Sequence, residues 1–219
     1  MTKAATVVLL AYNDLERARR RVERDLAPSL HHHPDWDFEV IVIDNSSQRL
    51  DGLADLVASL PWKSRYLWHE GRNLLYGPSL NLAAGLAEHP FILYLCAAHG
   101  RMRDPTWVED IIAPMWTNKR IAMCGHLYPS GAPSMLGLAD TGQLRVHVQG
   151  GVLAARTDII RRFPYQEREW AHGGSDIWLS YRLMQEGFIL HDVPTVFSGW
   201  MMVAPPGPWK YVHDYADDR

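Results

Sequence analysis

Several things are scarce in this 219-residue chain, and each shortage excludes a class of protein. There are two cysteines, Cys96 and Cys124, both in apolar, strand-like surroundings. That excludes a disulfide framework and leads us to expect two buried, reduced thiols. No stretch approaches the roughly 18 apolar residues of a membrane span. The apolar run at residues 4–11 is also short for the hydrophobic region of a secretory signal, so the expectation is a soluble cytoplasmic protein. Neither sign of charge dominates: 22 Lys and Arg against 25 Asp and Glu leave a net charge of -3. This removes a general electrostatic drive toward nucleic acid. No internal repeat or domain linker stands out. The last shortage is local: "FILYLCAAHGRM", residues 91–102, contains no carboxylate.

What is abundant is apolar surface, 47% of residues, enough for the core of one α/β domain. Short β-branched runs alternate with amphipathic ones. Residues 6–11 and 38–43 read as strands covered on both faces, and 65–69, 91–96 and 121–127 as further strands. Residues 15–26 read as a helix with Leu15, Ala18, Val22 and Leu26 on one stripe. Its arginines form a solvated face, with Glu16 and Arg20 spaced to pair. Residues 53–60 and 78–88 are helical, the second with Pro in its first turn, and Asp104-Pro105 opens another helix. His31-His32-His33, before Pro34, reads as an exposed loop.

In the second half, residues 128–142 read as a loop. Strands at 144–149 and 152–155 flank a tight bend at Gly150-Gly151, and a short helix covers 157–163. A helix at 177–186 is capped by Ser175 and stopped by Gly187, and residues 188–193 are a last apolar run. Residues 201–219 should be irregular, docked by Trp209, Tyr211 and Tyr215.

Strands alternating with helices imply a mostly parallel sheet with helices on both faces. Ligands bind such sheets at the carboxyl ends of the strands. That nominates Tyr12-Asn13-Asp14, Asp44-Asn45-Ser46 and Ala97-Ala98-His99. Gly77 lets backbone approach a ligand at a helix start, where anions are favoured, and Arg72 adds a planar cation suited to phosphate. Asp176 stands at a helix start that keeps it ionised, as a general base requires. Trp170, His172 and Trp178 offer an aromatic platform, or Trp178 belongs to the core.

Six segments, in order, resemble the inverting family 2 glycosyltransferases of the GT-A fold: "VVLLAYND", "FEVIVIDNSS", "GRNLLYGPSLNLAAGLAEHPFILYL", "RMRDPTWVEDI", "VQGGVLAARTDII" and "GGSDIWLSYRLMQEGF". The resemblance spans about residues 5–197. It implies one GT-A-like, Rossmann-like α/β domain over residues 1–200, with a donor half to about 127, an acceptor half beyond, and a tail at 201–219 packed on it. It implies transfer of a sugar from a nucleoside diphosphate donor to an acceptor nucleophile with inversion. Carried over by residue, Ala11, Tyr12, Asn13, Asp44, Asn45, Ser46, Arg72, Asn73, Gly77, Asn81, Ala97, Ala98 and His99 would line the donor site. Trp170, His172, Gly174 and Ser175 would face the acceptor. Asp176 falls where the family places its base, in a motif usually written Glu-Asp; Ser175 replaces the Glu.

The family also carries Asp-any-Asp after the fourth strand, holding Mg²⁺ or Mn²⁺ on the diphosphate. Here that triplet is Ala97-Ala98-His99, or Cys96-Ala97-Ala98 in the other register. A neutral imidazole is a poor substitute for Mg²⁺ oxygen ligands; Mn²⁺ tolerates nitrogen better, and His99 as a metal ligand would still need partners such as His191 or His213. Arg72, Arg101, Arg103, Lys210 or a protonated His99 could balance the diphosphate charge instead. The competing expectation is a GT-A-fold module that binds a nucleotide-sugar or a partner without turnover. A nucleotidyltransferase fits less well, since no Gly-rich, Lys-containing N-terminal loop is present.

Overall fold

The computed structural model describes residues 3–97, 105–129, 146–167 and 175–193. Its strands are β1 (Ala4–Ala11), β2 (Asp37–Asp44), β3 (Lys63–Trp68), β4 (Phe91–Cys96), β5 (Ile121–Pro129), β6 (Val146–Arg156) and β7 (Ile189–Asp192). The helices are α1 (Leu15–Arg21), α2 (Ala27–His31), α3 (Asp51–Ala58), α4 (Tyr76–Leu86), α5 (Trp107–Thr117), α6 (Thr157–Arg162) and α7 (Ser175–Gln185). One sheet runs β3-β2-β1-β4-β6-β5-β7. Its pairs are parallel except those of β6, which runs against both β4 and β5.

Strand alternation sends side chains to two cores, which is why β1 and β2 read as unbroken apolar runs. Ala5, Val7 and Leu9 of β1 pack with α1, α3 and α5 on one face. Val8 and Leu10 pack with α4, α6 and α7 on the other. Among the described residues no helix is long and apolar enough to cross a membrane.

Several local expectations are corrected. The first helix is not uniformly α: Val22–Leu26 forms a π turn, closed by Ala27 N donating to Val22 O. Ala18, Val22 and Leu26 are buried as the stripe requires, but so is Arg21, whose side chain is 4% exposed and pairs with Asp25 at 2.6 Å. The arginines are therefore not all on a solvated face. Arg20 Nε donates to the Glu16 carbonyl, not its carboxylate, at 3.2 Å. Of the two free cysteines, Cys124 is buried and its thiol is pushed up to about 12 by that burial, whereas Cys96 is only half-buried. Gly150-Gly151 does not divide two strands: β6 continues through it with an irregular register. Residues 128 and 129, expected in a loop, are still paired in β5. Residues 130–145 and 194–219, with the tail aromatics Trp209, Tyr211 and Tyr215, lie outside the described residues.

The histidine cluster also differs from expectation. His31 ends α2, His32 is exposed, and His33 is buried at 6% exposure against Trp36. Burial lowers the His33 pKa below its usual 6.5, partly opposed by Glu109, whose carboxylate is 3.8 Å away. The native state thus takes up a proton on His33 less readily than the unfolded chain, which protonates it below about pH 6.5. The unfolded state binds more protons there, so stability falls as pH drops through that value. Urea midpoints at pH 8 and pH 5.5 should show this loss, and His33→Gln should flatten it. Equal pH slopes in parent and variant would remove His33 as the cause.

Candidate active site

The parallel register sets Ala11 beside Asp44 and Leu10 beside Cys96. Strand order reverses between β1 and β4, the switch point where a crevice opens at the carboxyl ends. Three of the nominated segments therefore begin side by side.

The loops after β1 and β2 are stitched together. Asn13 adopts a left-handed φ of 47°, which asparagine tolerates. Its N–H donates to Ser46 Oγ at 2.7 Å, and its Oδ1 accepts from Ser47 N at 3.2 Å. Asp44 is wholly buried. Its Oδ1 accepts from Ser46 N and its Oδ2 from Leu50 N, both at 2.9 Å, and from the Tyr66 hydroxyl. Burial, then this carboxylate, pushes the Tyr66 hydroxyl pKa well up. The Asp44 carboxylate is thus committed to pinning the loop behind Asn45 and Ser46. Asn45 Nδ2 donates to Ser79 Oγ at 2.8 Å and reaches the Leu75 carbonyl at 3.4 Å. Tyr12 is half-buried beside this loop pair.

The segment before α4 is tightly wound. Glu70, Gly71 and Leu75 all have positive φ. A Cβ on Gly71 would meet the Ser47 carbonyl at 2.8 Å, so glycine is required there. Arg72 is exposed, and its guanidinium has no partner among the described residues. Asn73 Oδ1 accepts from Leu75 N at 2.8 Å. The helix starts at Tyr76, two residues earlier than expected, which puts Gly77 and Pro78 inside its first turn. Asn81 is a strut: its amide donates to the Tyr165 carbonyl at 2.9 Å and accepts from Tyr165 N at 2.8 Å. The same amide reaches Glu167 at 3.1 Å. Its hydrogen-bonding capacity is spent within the protein.

The opposed direction of β6 brings the remaining chemistry to the same edge. Leu95 pairs with Val152, which carries the start of β6 past the end of β4. Between the pairs Gly125 with Leu153 and Leu127 with Val148, the register shifts. Residues 149–152 of β6 stand opposite His126 alone, so the strand bulges and Gly150 leaves the ladder. Its N–H donates to Asp176 Oδ2 at 3.0 Å, and its carbonyl accepts from the Tyr76 hydroxyl at 2.6 Å. Asp176 Oδ1 accepts from Ile177 N at 2.9 Å, and His147 Nε2 lies 3.9 Å from Oδ2. The Asp176 side chain is 20% exposed: held at the helix start and still open to solvent. Ser175 is the first helical residue described, buried, and its hydroxyl has no hydrogen-bond partner among the described residues. It does not cap α7 by its side chain.

Hydrogen bonds thus link Ala11, Asn13, Asp44, Asn45, Ser46, Leu75 and Ser79 into one cluster, and Tyr76, Gly150 and Asp176, with His147 beside them, into another. Ala97 is buried, its N–H on the Leu10 carbonyl at 2.9 Å. Ala98, His99, Arg101, Arg103, Trp170, His172, Gly174 and Lys210 lie outside the described residues. Trp178 is half-buried and lines a surface recess of about 310 Å³ with Phe163, Tyr165, Arg162 and Arg182. Sequence reasoning missed Tyr76, His147 and Ser79 as neighbours of the site. Only the paired glycines at 150 and 151 signalled that backbone there is pressed by something.

A divalent cation belongs to the donor site in the resembled family. At the end of β4 the described residues supply one thiol, Cys96, and an alanine. That set does not fit an oxygen-seeking ion. Among the described residues no group of three or more His, Cys, Asp or Glu could hold a metal.

A mostly parallel sheet with one reversed strand, and a carboxylate delivered to its switch point by the following helix, defines a GT-A glycosyltransferase architecture. The chain belongs to glycosyl transferase family 2, whose profile matches residues 6–186. Solved structures agree on the fold. Mannosyltransferase PcManGT from Pyrobaculum calidifontis, in complex with GDP-Man and Mn²⁺, superposes with a TM-score of 0.68 at 13% identity, over 90% of this chain and 56% of that one. The present chain thus spans little more than half of that enzyme. Glucosyl-3-phosphoglycerate synthase from Mycobacterium tuberculosis gives 0.67 at 16% identity, over 91% and 74%. The same synthase in complex with UDP gives 0.63 at 16% identity, over 91% and 72%. No curated protein sequence matches the chain.

Proposed function

We propose that the chain transfers a sugar from a nucleoside diphosphate donor to an acceptor nucleophile with inversion, Asp176 acting as general base. The observation that carries this reading is the Asp176 carboxylate, fixed by the N–H of Gly150 in β6, just before the residue that pairs with the end of β4, and still one-fifth exposed. In this reading the loops around Asn13 and Asn45-Ser46 seat the nucleoside, with Asp44 setting their shape from behind. Asp176 takes the proton of the acceptor as its oxygen or other nucleophile attacks C1, from the face opposite the diphosphate. The bond from C1 to the diphosphate breaks as the new one forms. The Arg72 guanidinium, which has no partner among the described residues, together with His99, Arg101, Arg103 or Lys210, offsets the charge that develops on the leaving group. No step is assigned to a metal. Residues 1–127 form the donor half and 128–200 the acceptor half.

A second reading, a nucleotide-sugar-binding module without turnover, draws on the missing carboxylates at 96–99. UDP and GDP are the first probes, because the fold neighbours hold uridine and guanosine nucleotides. A nucleotide at 100 times its Kd adds about 2.7 kcal/mol, or roughly 5–10 °C in Tm for a chain this size. Release of UDP or GDP from their sugar conjugates, in Mn²⁺ and in EDTA, should then show turnover. Binding without release under both conditions favours the module, and no thermal shift with either nucleotide sinks both readings.

A further inference from the structure

The residue that joins these two clusters is Tyr76, which follows Leu75 and bonds Gly150. We infer that it is a positioning residue for Asp176, acting through the bulged Gly150; this rests on the general-base reading above.

The hydroxyl of Tyr76 donates to the Gly150 carbonyl, and the N–H of the same glycine donates to Asp176 Oδ2. Gly150 is therefore held from α4 on one side and holds α7's carboxylate on the other. The fit is close. A Cβ on Gly150 would meet Tyr76 Oη at 2.5 Å, Tyr76 Cζ at 2.8 Å and Asp176 Oδ2 at 3.2 Å. Only a residue without a side chain lets phenol and carboxylate converge on this backbone. The bulge makes the geometry necessary as well as tight, because Gly150 has left the strand ladder and needs partners from elsewhere.

Tyr76 is itself immobilised. Its ring packs edge-to-face on Tyr165 at 5.8 Å between centroids, and Tyr165 packs on Tyr94 at 6.3 Å. Tyr94 is tied to the Leu80 carbonyl at 3.0 Å, and the Tyr165 backbone to Asn81. Burial raises the Tyr76 hydroxyl pKa well above its usual value, so it remains a donor at any working pH. The preceding residue, Leu75, is held at φ 66°, a conformation unusual for leucine. Its carbonyl accepts from Ser79 Oγ at 2.5 Å and lies within reach of Asn45. Adjacent residues thus touch the nucleoside loop and the base. Among the described residues the other groups facing Asp176 are His147, from β6, and Tyr165, from the segment after α6. Neither bonds the Gly150 carbonyl. Misplacing a reacting group by about 1 Å costs on the order of 10²-fold in rate, so a carboxylate whose support has loosened loses rate before it loses ligand.

The test is Tyr76→Phe, which removes one hydroxyl and keeps the ring. Three readouts are taken on the full chain: amide hydrogen exchange at Gly150, Kd for UDP and GDP, and kcat and KM with the nucleotide sugar that shows turnover. Gly150 exchange should quicken by about tenfold or more, kcat should fall roughly 10–100-fold, and the nucleotide Kd and donor KM should stay within about twofold. Gly150→Ala, which crowds the same contact sterically, should show the same split. Gly150 exchange and kcat both unchanged in Tyr76→Phe would overturn the inference, as would a loss confined to donor KM. Asp176→Asn separates the two claims. Full turnover in that variant ends the general-base reading, while the exchange measurement, which needs no substrate, still decides whether Tyr76 holds Gly150.

Discussion

Asp176→Asn should lower turnover by about 10²–10⁴-fold, the usual worth of a general base, and should leave nucleotide affinity nearly intact. The substitution keeps the shape of the side chain and removes its capacity to accept a proton. The two carboxylate oxygens accept from different backbone donors, Gly150 N–H and Ile177 N–H. An amide has one acceptor, so one of these bonds is lost, at about 1 kcal/mol. The start of α7 also loses a favourable negative charge, worth about 0.3–1 kcal/mol. The variant should therefore be folded and slightly less stable. Rate measured beside UDP or GDP titration distinguishes a lost base from a lost site. A variant that turns over normally would move the base elsewhere.

The largest effect on stability should come from Asp44→Ala. Its carboxylate is fully buried and accepts from Ser46 N, Leu50 N and the Tyr66 hydroxyl. Removing it strands these donors, and bonds to a charged group contribute about 1.5–3 kcal/mol each. Shared and partly exposed as they are, they should together cost about 3–5 kcal/mol, or a Tm loss on the order of 10 °C. Asp44→Asn should be nearly as damaging, because its NH₂ would face a donor. Donor affinity should fall as well, since the Asn13–Ser46 contact depends on the pinned loop. Thermal unfolding without ligand checks the point, and a Tm within about 2 °C of the parent would show that Asp44 is not the pin.

Much of the frame was legible from local signals. The runs at 6–11 and 38–43 mark strands because both faces of the sheet are covered. Asp14 caps α1 through Arg17 N at 2.9 Å, as its type suggests. The carboxyl-edge rule puts residues 12–14, 44–46 and 97–99 on one edge, and the register of the strands leading into them agrees: Ala11 pairs with Asp44 and Leu10 with Cys96. Other features were hidden because they depend on distant partners. The π turn at 22–26 and the buried Arg21–Asp25 pair look, in sequence, like one more charged helical turn. Asn81 looked free to meet a ligand, yet it faces Tyr165, 84 residues away. His33 sits in a polar-looking triplet and is buried by Trp36 and its neighbours.

By itself the sequence determined the alternation of strands and helices, the two-sided core, and the carboxylate at the start of α7. These follow from side-chain periodicity and capping, which act over a few residues. Only the tertiary structure decided what that carboxylate touches. The reversal of β6 and its bulge bring Gly150 to Tyr76, 74 residues earlier, and to Asp176, 26 residues later. Such a meeting depends on strand register and on the space left by an absent Cβ, and neither is encoded in a local pattern.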